Sequence, residues 1–572
     1  MKNLFLFCVS ILLVSLALAD SIPEGCTIND GAEIKFRDPL PAMNVAGRHN
    51  GTYNNYEMGL PALLTTTDPK LGEMIHQLRN TIQDDRRLVF IDGKVLMCSN
   101  NWIRDHVQQM KGFLHWEYDL DSFLNFILET QRADGCFYEL IKQLDDPHWK
   151  FVDADCRVLY PEDNLSLVRL EIEADVEYLV VEGAMRYYQV TGDDVWLARV
   201  LPKLEKAIDY MTSDPKRWDP ERGLVKRGFT IDTWDFTYKP DAGTNRRINN
   251  QTPMGIMHGD CTGVYQAMNQ LAWFHDRLGN SEKAKEWLER AETLKASIFQ
   301  HLWNGKFFIH QIGLNGAGVD DQENVRLSLS NAYALNRGIL NVEQARSIIG
   351  EYLARRETTK AFAEWFSIDP PYTPAFGNCQ PGQYVNGGIS PFTAGELAKG
   401  AFRNGYEAYG WDILRRFEEM IKEDKAIYFL YDPATRKPLG GGPSAWGAAA
   451  LLSAIDEGLA GITDLGTGYD VMEFAPRFPV THYTETRYFT GYEKTAKFVD
   501  VRWVLRDEGM RYYVLSPAKE LRAHLLLPKG KSCSRVKFNG QEQTFELVNV
   551  GESVYVDFVV KPEGKADLEV FF

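Results

Sequence analysis

The sequence predicts a mainly α-helical protein with a small antiparallel β-domain at its C-terminus. Three observations predict it. Helical periodicity starts near Leu71 and persists to about Leu465, turn dipeptides separate the periodic stretches, and beyond Leu465 the pattern alternates and becomes rich in Val, Tyr and Leu.

The chain opens with Lys2, an apolar run from Leu4 to Leu18, and Ala17-Leu18-Ala19 before Asp20. This is the basic, apolar and small-residue order of a secretory signal, so residues 1–19 are expected to be removed on export to a secreted or periplasmic location. The run is shorter than the ~18 to 20 apolar residues that a membrane-spanning helix needs. No later segment approaches that length, and no membrane span is expected. Residues 20–70 form a turn-rich extension carrying Pro23, Pro39, Pro41 and Gly47.

Apolar residues then recur at helical spacing in 71–84, 122–131, 171–190, 196–211, 261–278, 281–299, 342–356, 392–404, 408–423 and 445–458. Asp134-Gly135, Thr191-Gly192-Asp193, Gly279-Asn280, Asn304-Gly305 and Gly387-Gly388 separate them as turns rather than strands. About a dozen helices with short connections make an all-α unit over 71–466. Segments 498–505, 510–515, 521–527 and 554–560 alternate apolar and polar residues, and Asn539-Gly540 reads as a hairpin turn. Residues 467–572 are therefore expected to form a β-sandwich-like domain that packs on the helices and carries no chemistry.

A chain of 572 residues is long for one core, which agrees with two or three units. Its net charge of -16 argues against nucleic acid and anionic membrane as partners, since both reward basic patches. A neutral substrate fits better. Beyond Cys8 in the signal, Cys26, Cys98, Cys136, Cys156, Cys261, Cys379 and Cys533 show no CxxC spacing, so neither a zinc site nor a redox dithiol is indicated, and no cofactor motif is present. Being odd in number, they cannot all pair within the chain, although export permits disulfides. Asn50, Asn164 and Asn250 stand in glycosylation sequons. Aromatic residues reach 12%, and their faces stack on the apolar faces of sugar rings as readily as they fill cores.

Cleavage of a glycosidic bond needs a carboxylic acid to protonate the leaving oxygen and usually a second carboxylate. Loop acids flanked by aromatics are the candidates, and three clusters contain them or flexible backbone beside them. In Asn101-Trp102-Ile103-Arg104-Asp105-His106 an Arg beside an Asp can hold adjacent sugar hydroxyls, or can simply be a helix N-terminal ion pair. Gly228 to Phe236 places Asp232 and Asp235 among Phe229, Trp234 and Phe236, where desolvation raises a carboxyl pKa as an acid catalyst requires. The bland reading of that segment is a turn or cap Asp. Tyr384-Val385-Asn386-Gly387-Gly388 and the later Gly440-Gly441-Gly442-Pro443-Ser444-Ala445-Trp446 both put flexible backbone just before a helix.

Taken in order, these clusters resemble the six-hairpin glycosidase superfamily, which includes glucoamylases, trehalases, α-L-rhamnosidases and cellobiose-type phosphorylases. Trp102 to Asp105 resembles the Trp-x-Arg-Asp loop of glucoamylases, where Arg and Asp hold the terminal sugar. Thr233-Trp234-Asp235-Phe236 resembles the Gly-Trp-Asp-Phe of trehalases, whose acid is the proton donor. Asp235, not Asp232, falls on that position. Tyr384 to Gly388 is similar to the Asn-Gly-Gly turn of the phosphorylases, and Tyr431-Asp432, the glycine run and Trp446 resemble a late helix start of glucoamylases and trehalases. Gly458 to Ile462 with Pro476-Arg477-Phe478-Pro479 looks like the rhamnosidase junction into a β-domain.

The resemblance covers roughly residues 95–480 and implies an (α/α)6 barrel and a secreted, inverting, exo-acting glycoside hydrolase with a carbohydrate substrate. It implies Asp235 as general acid and Trp102, Arg104, Asp105, Asp232, Trp234, Tyr384, Asn386 and Trp446 as substrate-binding residues. One departure stands out: the Glu expected between Tyr431-Asp432 and Trp446 is missing, and Pro433 to Leu439 contains no carboxylate. Glu396 is taken as the second catalytic carboxylate, with Asp432 and Glu364 as alternatives. Phosphate in place of water, as in an inverting phosphorylase, is another reading of the missing base. So are an acidic substrate held by Arg436 and Lys437, and a sugar-binding protein without turnover.

Overall fold

The computed structural model describes residues 69–145, 156–232, 247–315, 317 and 319–572, with short strands at Lys35–Phe36, Gly51–Thr52, Tyr56–Glu57 and Leu64–Thr66. Residues 1–19, Cys26, Asn50, Trp234 and Asp235 lie outside the described residues.

Twelve α-helices occur among the described residues. They are α1 (Pro69–Asp84), α2 (Ile103–Phe113), α3 (Ser122–Glu129), α4 (Val176–Thr191), α5 (Asp194–Met211), α6 (His258–Arg277), α7 (Ser281–Leu302), α8 (Ser330–Ala334), α9 (Val342–Thr358), α10 (Pro391–Arg403), α11 (Glu407–Asp424) and α12 (Ala445–Ser453). Local chemistry fixes several of the ends. Ser390 caps α10 by accepting from Thr393 N at 3.3 Å, with Pro391 in the first position, and Ser444 caps α12 by accepting from Gly447 N at 3.0 Å. Asn341 and Gln344 form a reciprocal capping box on α9. Gly192, at φ 61°, ends α4.

The even-numbered helices touch one another in the order α2, α4, α6, α8, α10, α12, and α12 packs back on α2. Several odd-numbered helices back them from outside, among them α5 on α4, α7 on α6, α11 on α10 and α1 on α12. The contacts are close where side chains are small: a Cβ on Gly395 of α10 would meet the Ala450 backbone of α12 at 2.5 Å.

Three expectations need correction. Helices α2 and α8 are not among the expected helices; α2 does repeat Ile103, Val107 and Met110 at helical spacing, yet nearly every residue between them is buried too. Residues 171–175 form turns and bends rather than the first turns of α4. Strands also intervene between helices: Arg86–Ile91 and Lys94–Ser99 pair around an Asp92-Gly93 turn with φ of 54° and 68°, the left-handed geometry that an Asp-Gly hairpin adopts.

The C-terminal region carries β1 (Ile462–Asp464), β2 (Val471–Phe474), β3 (Glu485–Tyr492), β4 (Lys497–Arg506), β5 (Gly509–Leu515), β6 (Glu520–Leu526), β7 (Arg535–Phe538), β8 (Gln541–Gln543), β9 (Glu546–Val550), β10 (Ser553–Val560) and β11 (Lys565–Phe571). A five-stranded sheet has the order β1-β2-β6-β10-β9, in which β2 and β6 run parallel. A seven-stranded sheet has the order β8-β7-β11-β5-β4-β3 and ends on Leu64–Thr66 from the N-terminal region. Phe474 of the first sheet meets Tyr512 of the second edge-on at 5.5 Å. The hairpin between β7 and β8 turns at Asn539-Gly540 as the sequence indicates.

Cys98, Cys136, Cys156, Cys261, Cys379 and Cys533 are free thiols. No described helix is long and apolar enough to cross a membrane, and no metal-competent group of three His, Cys, Asp or Glu occurs among the described residues.

Candidate active site

The first turns of the even helices meet at one end of the ring. Arg104 of α2 reaches Asp175 at the start of α4, Gly259 of α6 lies against Ser330 of α8, and Phe392 of α10 stacks on Trp446 of α12 at 4.7 Å. Helix N-termini favour carboxylates, and buried carboxylates are dense here.

Arg104 is the hub. Its Nη2 donates to Asp175 Oδ1 at 2.7 Å and its Nε to Asp175 Oδ2, while Glu173 contacts the same guanidinium and Glu139 stands at 3.8 Å. Arg169, wholly buried, lies 3.8 Å from Glu139 and donates to Glu177 at 3.2 Å and to the Glu173 carbonyl at 2.8 Å. Arg227 and Asp260 form a further buried pair at 3.5 Å. Burial pushes up the pKa of Asp175, but the charge and hydrogen bonds of Arg104 overcome it and hold the group below the usual range. Glu139 goes the other way: burial raises it to about 7 against the pull of Arg169 and Arg104. Asp260 is raised to about 6, again by burial, against Arg227.

Asp105 is partly exposed, and burial lifts its carboxyl to about 7 despite the neighbouring Arg104. Asp85 and Asp175 add to the rise. Helical spacing puts Asp105 on the face of Gln109, which donates to Asp85 at 2.7 Å, whereas Arg104 shares the face of Gln108 and Lys111. Trp102, the residue preceding α2, is partly exposed, with the Arg104 guanidinium 5.8 Å from its ring.

Asp232 belongs to the same end but is wholly buried. Its carboxylate accepts from Ser330 N at 3.1 Å and from Ser330 Oγ, and its own N–H donates to His310 Nε2 at 3.1 Å. With Nε2 accepting, Nδ1 of His310 carries the proton and faces Glu323 at 3.0 Å. Burial would raise the Asp232 pKa, yet the proximity of His258 and His310 and the serine hydrogen bonds hold it low. Its φ of 50° is strained backbone for a residue other than glycine.

The remaining predicted residues separate. Asn386 is buried and its amide clamps a loop, accepting from Tyr372 N at 2.7 Å and donating to the carbonyls of Tyr372 and Cys379 at 3.0 Å each. Tyr384, partly exposed at φ 46°, lies 6.1 Å from Phe429. Trp446 donates to Tyr333 Oη at 2.9 Å within an aromatic cluster. Glu396 does not join the Arg104 end: it is the sixth residue of α10, bound by Lys111 from late in α2 and by Asn336 at 2.8 Å. Glu364 is taken up by Arg416 and Tyr409, and Asp432 caps its own turn through Ala434 and Thr435. Arg436 pairs with Glu423 and Asp424.

The sequence reading missed Glu139, Arg169, Glu173, Asp175, Arg227 and Asp260. The signal present was Arg169-Leu-Glu171-Ile-Glu173-Ala-Asp175-Val-Glu177, five charges at every second position among apolar residues.

The Trehalase family model matches residues 260–368. No curated protein sequence matches the chain. Among solved structures, the α-L-rhamnosidase from Dictyoglumus thermophilum superposes with a TM-score of 0.57 at 13% identity, covering 89% of this chain and 50% of that one. The GH78 family rhamnosidase of Bacillus sp. GL1 superposes with a TM-score of 0.56 at 14% identity, covering 83% and 44%. A structure described as a sialidase gives 0.53 at 13% identity, covering 86% and 41%. The chain thus spans about half or less of the length of each. These likenesses give the chain the overall fold of the two rhamnosidases.

Proposed function

We propose that the chain is an exported glycoside hydrolase, that the ring of even and odd helices is an (α/α)6 barrel, and that its active site is the end carrying Trp102 to Asp105. The observation that carries this reading is convergence. Buried, opposed Arg and carboxylate side chains from five segments meet at that end. Asp232 is held there by Ser330, and the Ile248 N–H donates to Glu171 at 3.1 Å.

In the proposed reaction Asp235 gives its proton to the glycosidic oxygen as the bond to the anomeric carbon breaks. Water attacks that carbon from the opposite face and passes its proton to a second carboxylate, at a separation of roughly 6.5 to 9.5 Å, so the anomeric configuration inverts. We assign the second carboxylate to the Arg104 end, with Glu173 first, because one of its oxygens meets the Arg104 guanidinium while the other, Oε1, accepts no hydrogen bond among the described residues. Arg104 holds these acids in place, Trp102 offers a face to the sugar ring, and the action is exo. Asp105 is a second reading for the proton donor: a carboxyl with a pKa of about 7 is still largely protonated at pH 6.

The test is turnover of aryl glycosides and natural oligosaccharides by the exported protein and its Asp235→Asn, Asp105→Asn and Glu173→Gln variants. A fall in kcat of about 10² to 10⁴-fold is expected for an acid or base variant, with the alkaline limb of the pH profile lost in whichever variant removes the donor. NMR of the first-formed product should show inversion. Full activity in Asp235→Asn removes that residue from its role, a retained anomer removes the single displacement, and strict dependence on phosphate makes the chain a phosphorylase.

A further inference from the structure

The other end of the ring encloses a polar cavity of about 200 Å³. It is walled by the middle and later parts of α2, α4, α6 and α10, by the end of α8 and the segment after it, and by the helical turn after α12, and β1 and Tyr492 of β3 close it from the β-region. At ~30 Å³ per water this is room for about seven waters, or one small ring rather than a chain of sugars. None of the candidate residues at the Trp102 to Asp105 end lines it.

The lining is charged yet balanced, with five cations and five carboxylates. Arg186 holds Glu182 at 2.7 Å, Lys399 holds Glu457 at 2.6 Å, and Lys111 holds Glu396. Burial would raise the Glu182 pKa, but Arg186 and Lys111 bring it down to about 2, so the pair is fully ionised. A charged ligand placed among matched pairs would leave one buried charge uncompensated, which costs several kcal/mol. A neutral one would not.

Five buried polar atoms of the lining residues have no hydrogen-bond partner among the described residues: the acceptors Gln270 Oε1, Asn336 Oδ1 and Asp456 Oδ1, and the donors Arg186 Nε and Arg403 Nε. Such atoms seek a partner that both donates and accepts. A hydroxyl does both. Tyr469 and Tyr492, stacked at 4.6 Å, add an aromatic wall for the C–H face of a ring. We infer that this cavity is a second binding site, distinct from the proposed catalytic end, for a neutral polyhydroxylated ring of monosaccharide size.

Calorimetric titration of the full chain with glucose, galactose, rhamnose and myo-inositol, one at a time, tests this, with orthophosphate as the charged control. One neutral polyol should bind saturably and orthophosphate should not. Affinity should fall at least tenfold in Gln270→Leu and in Lys399→Met/Glu457→Met, which removes a whole ion pair and so leaves no orphan charge. Hydrogen exchange at the ends of α4 and α10 should slow on binding in the wild type, a readout that depends on no variant folding. Absence of polyol binding, tighter binding of phosphate, or affinity unchanged in both variants overturns the inference. Binding should persist in Asp235→Asn, so the failure of this site and the failure of the proposed catalysis are separately visible.

Discussion

Asp105→Asn should stabilise the protein at alkaline pH and leave it unchanged in acid. The wild-type carboxyl moves from an ordinary 3.8 to about 7 on folding, chiefly through burial. Below pH 3.8 both states are protonated and the group makes no difference. Between 3.8 and 7 the unfolded chain ionises while the folded one stays neutral, so stability falls as pH rises, and above 7 the loss is complete. Each tenfold change in proton affinity is ~1.4 kcal/mol, so a fully shielded group would lose about 4 kcal/mol; the partial exposure of Asp105 brings the expected figure to about 2 kcal/mol. Asparagine mimics the neutral form and escapes the loss. Thermal unfolding of both proteins at pH 4 and pH 8.5 should give matching midpoints in acid and a higher midpoint for the variant in base. Equal destabilisation of the variant at both pH values would refute the reasoning, since it would mean that the side chain acts through shape or hydrogen bonding.

Arg104→Met should cost about 3 to 5 kcal/mol, because it strands Asp175 and Glu173 without their cation; chemical denaturation measures it, and adding Asp175→Leu should recover part of the loss. Asn386→Ala removes three buried hydrogen bonds, so unfolding should become easier by about 2 to 3 kcal/mol while KM stays the same, which denaturation and steady-state kinetics together check. Gly461→Ala should destabilise by about 3 kcal/mol or more, since its φ is +65° and a Cβ there would stand 1.9 Å from the Ala475 carbonyl oxygen; a melting curve close to wild type would contradict it.

The helix spans of the odd-numbered shell were readable because each has one wet face and one dry face. Helices α7 and α9 show this: Glu282 and Glu289 face solvent while Trp287 and Leu294 are buried, and Ile348, Ile349 and Tyr352 are buried on α9. Helix α2 has almost no wet face, and its polar residues Arg104, Gln108, Gln109 and Lys111 point inward or to neighbouring helices. Its apolar repeat at Ile103, Val107 and Met110 is short, and nothing in the sequence shows that the polar residues between them are buried as well. The Arg104 cluster was hidden for a related reason. A run of alternating charges reads as surface, and only partners distant in sequence, 71 residues apart for Arg104 and Asp175, make its burial tolerable. Glu396 was named in place of the Glu missing before Trp446, but Lys111, 285 residues earlier, binds it in the wall of the cavity at the opposite end of the ring. The Asp92-Gly93 hairpin was passed over although it carried a signal, a turn dipeptide between apolar runs.

Closure of the ring joins the two ends of the chain's helical portion: α12 packs on both α1 and α2, and Leu64–Thr66 completes the sheet begun by β3. During synthesis the earliest helices therefore wait for the latest. Some 340 residues separate Phe113 from Ser453, which at about 5 to 20 residues per second is roughly 20 to 70 s of elongation. Through that interval the apolar flanks of α1 and α2 have no native partner, and a nascent chain halted before Ala445 exposes them permanently. Ribosome-bound chains of graded length should stay protease-sensitive throughout and become resistant in one step, near the emergence of α12 and the strands that follow it.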